Sequence, residues 1–285
     1  MKIAVIGAAG QLGSALVREL DQHQVLALTR EALDVLDPVG TERVLAELAP
    51  EVVINTSAYL QVDLAEDQPD EAFRLNGTAV LHLARLSNKL GFKLVQISTD
   101  YVFGLDQTRT TPYRETDLPG PVGVYGESKL AGEGFVLAYA ERHLVVRSAG
   151  LYEPIGSRKK GGNFVETMLR LGAAKKALKV VADQRSTPTF ATDLARGIGQ
   201  LLQAKAEGLY HLTNAGDVSW YELAQEIFRQ AKLEVDLSPT TAAAYGAKAR
   251  RPAYSVLDNH RAWTIGVRLR PWQDAVAAYL QARGA

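Results

Sequence analysis

The sequence predicts an α/β fold: a doubly wound, Rossmann-like parallel sheet with a smaller, partly interleaved α+β substrate-binding domain. Two observations lead there. Through the first half, short apolar runs of strand length alternate with amphipathic stretches of helix length, the pattern of a parallel sheet covered on both faces. After residue 152 that alternation breaks into loops and shorter extended runs. At 285 residues, 47% of them hydrophobic, the chain is long enough to bury one large core or two modest ones.

Each element follows from its local pattern. KIAVIG (2–7) is a continuous apolar run and reads as a buried strand, followed by a helix from Gln11 to Leu20. VLALTR, VVINTSAY and KLVQISTDYVF (93–103) read as further strands. FRLNGTAVLHLARLSNKLG (73–91) is the clearest helix, closed by Gly91. LVVRSAGLY (144–152) supplies another strand. Beyond it, FVETMLRLGAAKKA reads as a helix and LKVVADQRSTPT as extended chain. A helix from Ala191 to about Ala204 and the strand GLYHLTN return to the sheet, whereas SWYELAQEIFRQA and PWQDAVAAYLQAR are helices outside it. The expected division gives 1–152 and 191–215 to a dinucleotide-binding domain, and 153–190 and 216–285 to a substrate-binding cap.

Charge and composition exclude several functions. The 32 basic and 32 acidic side chains cancel, so no global field draws nucleic acid or an anionic membrane, and neither is expected as a partner. An anionic ligand must be held by local groups. The absence of cysteine removes disulfides, thiolate catalysis and Cys-based zinc sites. The five histidines lack paired spacing, so no metal site is expected. No apolar run matches a signal peptide or a membrane span, and the cytoplasm is the expected location.

Gly7, Gly10 and Gly13 stand between the first strand and its helix in the spacing GxxGxxG. Glycines there allow a tight turn and close backbone approach to a pyrophosphate, and the helix N-terminus offers N–H donors. At the end of the second strand, an acidic residue would bind the ribose hydroxyl of NAD. This chain has Thr29 and Arg30 instead. Arg30 can pair with a 2′-phosphate, so NADPH is the expected cofactor, with NADH admissible; a solvated arginine is the alternative. Asp34 and Val35 would border the adenine.

KLVQISTDYVF carries Ser98, Thr99 and Asp100 toward the carboxyl end of its strand, where ligands of doubly wound sheets sit. One crossover later, Tyr125 and Lys129 stand four residues apart in GVYGESKLAGE and share a helix face. An ammonium beside a phenol favours its ionised form, which suits a proton donor next to a redox cofactor. Alone, the pair is common on exposed helices, and Ser, Thr and Asp commonly form turns.

Taken in order, GAAGQLGSAL, PEVVINTSAYLQVDLAE, ISTDYVFGL, PYRETDLPGPVGVYGESKLAGE, NFVETMLRL, DQRSTPTFATDLA, GLYHLTNAGDVSWYELA, RRPAYSVLD and the terminal PW resemble the dTDP-4-dehydrorhamnose reductases. These are extended short-chain dehydrogenases/reductases, and the resemblance runs nearly end to end. It implies hydride transfer from the nicotinamide to the C4 ketone of dTDP-4-dehydro-L-rhamnose. Tyr125 would protonate the developing alkoxide, Lys129 would favour the tyrosinate and bond the nicotinamide ribose, and Thr99 would orient the substrate oxygen with Asp100 nearby. The resemblance also places Gly10, Gln11 and Leu12 on the pyrophosphate, Ser57, Ala58 and Tyr59 along the cofactor, and Asn76 in a buried structural or proton-relay role. Asn163, Arg185 and Arg251 become the expected substrate contacts from the cap, with Arg158, Lys159, Lys160 and Arg250 as further cations. A homodimer is compatible with this reading, though the sequence does not demand one.

Two departures stand out. Gly150 in RSAGLY occupies a place where many members carry a tryptophan, which bears on the sugar. Ser186 in DQRSTPT replaces a usual glycine, which bears on a turn. Trp220, Tyr221, Trp263 and Trp272 lie in helical patterns and read as core. Two alternatives stay open: a nucleotide-sugar epimerase or dehydratase with the same Tyr/Lys pair, and a non-catalytic regulatory subunit like the relatives that associate with methionine adenosyltransferase. The cap motifs favour the reductase over the first, and the retained Thr99, Tyr125 and Lys129 weigh against the second.

Overall fold

Strands form where the apolar runs stand. In a computed structural model, which describes residues 1–155, 162–174 and 177–284, the chain proceeds through β1 (Lys2–Ile6), α1 (Gln11–Glu19), β2 (Gln24–Leu28), α2 (Pro38–Leu48) and β3 (Val52–Asn55). Next come α3 (Val62–Ala65), α4 (Pro69–Phe73), α5 (Ala79–Leu90), β4 (Lys93–Thr99), α6 (Val124–Tyr139) and β5 (His143–Ser148). The later part adds β6 (Leu151–Tyr152), α7 (Phe164–Ala173), β7 (Leu178–Val181), β8 (Arg185–Ser186), β9 (Thr189–Phe190), α8 (Ala191–Gln203) and β10 (Gly208–His211). It closes with β11 (Val218–Ser219), α9 (Trp220–Ala231), β12 (Leu237–Thr240), α10 (Ala242–Tyr245), α11 (His260–Thr264) and α12 (Trp272–Gly284). Arg158, Lys159 and Lys160 lie outside the described residues.

Six strands form one all-parallel sheet in the order β2-β1-β3-β4-β5-β10. Every residue of β3 and β4 is buried, which is why those strands lack hydrophobic–polar alternation. One face packs on α1 and α8 through Leu16, Leu194 and Ile198; the other packs on α2, α5 and α6 through Leu45, Val80 and Val136. The strand order reverses between β1 and β3, so a crevice opens at their carboxyl ends. A second core joins α7, α9 and α12 through Met168, Phe228 and Tyr279, flanked by the pairs β7–β12 and β8–β11.

Three expected elements differ. The helix expected over 73–91 is three pieces: α4 leads into a π turn at Arg74–Thr78, and α5 follows, closed by Gly91 in the left-handed region. The strand expected over 93–103 stops at Thr99, whose hydroxyl accepts from the Tyr101 N–H at 3.2 Å and starts a 3-10 turn at Asp100–Val102. The strand expected over 144–152 breaks at Gly150, whose φ of +51° turns the chain out of the sheet, so that β6 pairs with β9 instead.

Candidate active site

The glycine loop meets α1 at the crevice. Gly10, the N-cap of α1, provides no side-chain cap, which leaves first-turn N–H groups available to an anion. Gly7 has φ +80°, and a Cβ there would lie 2.7 Å from Thr56 Oγ1; a Cβ on Gly13 would overlap the Gly7 carbonyl oxygen. Glycine is thus required for the turn to pack against the end of β3 and its own helix, and this tight turn ahead of an uncapped helix start fits a dinucleotide. Gln11 and Leu12 open the helix there, and Gln11 Oε1 lies 3.5 Å from Asn163 Nδ2. At the adenine end, the exposed Arg30 guanidinium pairs with Asp34 at 3.3 Å. The Thr29 carbonyl accepts from the N–H groups of Ala32 and Leu33, and Val35 is buried in the core beneath α2 and α5.

At the end of β3, Ser57 Oγ donates to Asn55 Oδ1 at 2.6 Å, and Asn55 donates to Gln96 at 2.9 Å. Ala58 follows, and the Tyr59 N–H donates to Asn76 Oδ1 at 2.8 Å. Asn76 Nδ2 donates to the Tyr59 carbonyl at 3.2 Å and to Ser128 Oγ at 3.0 Å, and Ser128 in turn donates to the Tyr125 carbonyl at 2.8 Å. The π turn therefore ties the 57–59 segment to α6. It can approach so closely because Gly132 has no side chain: a Cβ there would overlap the Asn76 carbonyl oxygen.

Tyr125 and Lys129 are both buried on one face of α6. Burial is the largest cause raising the Tyr125 phenol above its ordinary value; a side-chain hydrogen bond with Thr99 opposes this, and the charge of Asp100 adds to it. Lys129 Nζ donates to the Ile97 carbonyl at 2.6 Å. Desolvation pulls its ammonium down to about 8, against an upward push from Glu133. The first turn of α6 begins at Gly123, which has no side-chain acceptor, and Glu66 supplies one by accepting from the Val124 N–H at 2.9 Å. Deeper along α6, Glu133 grips Arg147 of β5 at 2.6 to 3.1 Å in a buried, two-pronged ion pair. His211 abuts it, with Nε2 3.3 Å from Arg147 and Nδ1 3.0 Å from the Tyr113 carbonyl, so the ring is neutral and donates from Nδ1. The sequence reading passed over Glu66, Glu133 and His211; the glycine before α6 and the third residue of the Tyr-Lys-Glu helical face were the available signals.

Arg251 and Arg185 are both already paired. Arg251 makes a two-pronged ion pair with Asp63 at 2.9 and 3.2 Å and bonds Tyr101. Arg185 pairs with Asp217 at 3.2 Å and Glu222 at 3.1 Å. Asn163 caps α7, accepting from the Glu166 N–H at 2.9 Å, and donates to the Glu153 carbonyl at 2.9 Å. Beside Gly150, the Trp220 indole reaches to 3.5 Å from where a Cβ would stand, and it packs on Phe164 with ring centroids 4.8 Å apart. Trp220 thus borders the position at which the resemblance places a tryptophan. Ser186 does more than shape a turn: its hydroxyl donates to Asp100 at 3.0 Å. Among the described residues, no cluster of ligating side chains could hold a metal, and no helix is long and apolar enough to cross a membrane.

The family described as the RmlD substrate binding domain matches residues 1–284. The chain belongs to this family. An RmlD relative, the dTDP-4-dehydrorhamnose reductase of Mycolicibacterium smegmatis, is 39% identical over 290 residues, covering 99% of this chain and 86% of that protein. The solved dTDP-4-dehydrorhamnose reductase of Clostridium acetobutylicum matches with a TM-score of 0.94 at 38% identity over 100% of both chains. That of Bacillus anthracis, in complex with NADP, matches with a TM-score of 0.92 at 35% identity over 99% of this chain and 100% of that one. Membership in the RmlD family makes this chain an NAD(P)H-dependent oxidoreductase on a Rossmann-like sheet.

Proposed function

We propose that the protein reduces the C4 ketone of dTDP-4-dehydro-L-rhamnose to dTDP-L-rhamnose with NADPH. The observation that carries this reading is the hydrogen bond between Thr99, at the carboxyl end of β4, and Tyr125 of α6, in a sheet whose first helix starts uncapped after a glycine turn. The named relatives and the NADP complex of the Bacillus anthracis protein supply the substrate and cofactor class. When bound, the reduced nicotinamide supplies the hydride. The loop from Gly7 to Gly13 holds the pyrophosphate, Ser57 to Tyr59 flank the cofactor, and Arg30 exchanges Asp34 for the 2′-phosphate. Tyr125, kept protonated by burial, gives its proton to the oxygen that gains charge. Lys129 holds the cofactor ribose and limits the cost of the phenolate left behind. Arg251 meets the substrate diphosphate by exchanging Asp63 for it.

The test mixes the protein with NADPH and enzymatically generated dTDP-4-dehydro-L-rhamnose. Stoichiometric cofactor oxidation is expected. An epimerase would return the hydride and show no net oxidation, and a regulatory subunit would show no turnover; either result overturns the reading.

A further inference from the structure

The carboxyl group of Asp100 sits where the sheet meets the cap, and it is 2% exposed. Its Oδ2 accepts from Ser186 on β8 at 3.0 Å and from Ser255 at 2.6 Å. Ser255 belongs to the segment 253–255, which pairs with β8 through the Arg185 backbone. Its Oδ1 faces Thr99 Oγ1 at 3.2 Å. Two hydroxyls from the cap saturate Oδ2, so a proton on this carboxyl belongs on Oδ1, against Thr99.

Thr99 has one hydroxyl hydrogen and two lone pairs to share among three partners. The Tyr101 N–H takes one lone pair, at 3.2 Å, leaving Asp100 and Tyr125. An ionised Asp100 has no proton to give, so Thr99 must donate to it and can only accept from Tyr125. The phenol proton then points at Thr99. A protonated Asp100 donates to Thr99, and the Thr99 hydrogen turns to the Tyr125 oxygen.

We propose that Asp100 is a positioning residue that sets the direction of the Thr99–Tyr125 hydrogen bond, and that its protonated form is the one that supports ketone reduction; this rests on the function proposed above. In that form the Tyr125 proton is free to pass to the substrate oxygen as hydride reaches the ketone carbon. The phenolate left behind accepts from Thr99. One hydride and one proton are consumed, the nicotinamide is oxidised, and Asp100 and Thr99 keep their protons. Burial raises the Asp100 carboxyl to about 6, while hydrogen bonds from Ser255, Ser186 and Thr99 pull it down. The titratable groups that feel its charge are the phenols of Tyr101 and Tyr125, both raised first by burial and further by Asp100. Ser186, by donating to Asp100, favours the ionised form and so places the transition at lower pH than it would have without that hydroxyl.

The test compares wild type, Asp100→Asn and Ser186→Ala, with thermal melting as the check of folding. Carbon-13 NMR of labelled aspartate needs no substrate. It should show one carboxyl titrating near pH 6 in wild type, absent in Asp100→Asn and moved to higher pH in Ser186→Ala. In turnover, wild-type kcat/KM should fall about tenfold per pH unit above that transition. The Asp100→Asn limb should vanish, because its amide turns oxygen to the serines and N–H to Thr99. The Ser186→Ala limb should move up with the NMR transition. A limb unchanged in Asp100→Asn, or unmoved in Ser186→Ala, overturns the proposal, and so does the lack of any such NMR transition. If Asp100→Asn does not fold, Ser186→Ala decides alone. Wild type with the NMR transition but no ketone reduction overturns the function proposed above, and with it the assignment of the protonated form as the working one.

Discussion

Replacing Glu133 with glutamine keeps the shape of a side chain that is 1% exposed but removes the charge that neutralises Arg147, itself 3% exposed. The ion pair has three N–O contacts of 2.6 to 3.1 Å, and no second carboxylate reaches this guanidinium among the described residues. His211 cannot compensate, since it is neutral and already accepts from Arg147. Breaking one side of such a pair costs about 3–5 kcal/mol, because a buried charge is left uncompensated. Urea denaturation should show that loss as a lower midpoint with an unchanged slope. The double variant Glu133→Gln/Arg147→Met should recover most of it, since apolar replacement of both partners is often neutral. The loss should also reach the site: Glu133 pushes the Lys129 ammonium up, so its removal should move any basic limb owed to Lys129 to lower pH. A single-variant loss below about 1 kcal/mol, or a double variant no more stable than the single, would refute the reasoning.

Tyr125→Phe should lower kcat by about 10²–10⁴ while NADPH still binds, as measured by cofactor fluorescence; near-wild-type turnover would remove Tyr125 from the proton donor's role. Gly13→Ala puts a Cβ into the Gly7 carbonyl oxygen and should weaken NADPH binding about tenfold or more, visible as a smaller cofactor-induced rise in melting temperature. The His211 imidazole is held down to about 3, first by burial and then by Arg147. Its stabilising effect is complete above the ordinary imidazole value and is lost as pH falls toward 3. Wild type should therefore lose about 1.4 kcal/mol per pH unit from this group below pH ~6.5, and His211→Gln should lack that slope in urea titrations at several pH values.

Much of the fold was legible because burial writes itself into pattern. β3 is an apolar run closed by Asn55, β4 is buried throughout although it carries Lys93 and Gln96, and the glycine loop stands at the first strand–helix junction. The Tyr125–Lys129 spacing put both side chains on one helical face. What stayed hidden depends on contacts across long sequence distances. The π turn at Arg74–Thr78 keeps a helical pattern on either side, and the close approach of the Asn76 carbonyl to Gly132 on α6 has no local signature. Arg251 and Arg185 read as free cations because Asp63, Asp217 and Glu222 are distant in sequence or belong to other elements. Ser186 read as a turn residue because its partner, Asp100, lies 86 positions away. The structural consequence of Gly150, a break from β5 and an approach to Trp220, appears only in three dimensions.

The central claim is that this crevice passes hydride to a nucleotide-linked keto sugar. The most direct measurement uses NADPH carrying deuterium at nicotinamide C4, with dTDP-4-dehydro-L-rhamnose as acceptor, and follows the label by NMR of the product. One deuterium at sugar C4, with one equivalent of cofactor oxidised, is the predicted result. Product without label at C4, or label retained in the cofactor while the sugar is consumed, would contradict the account.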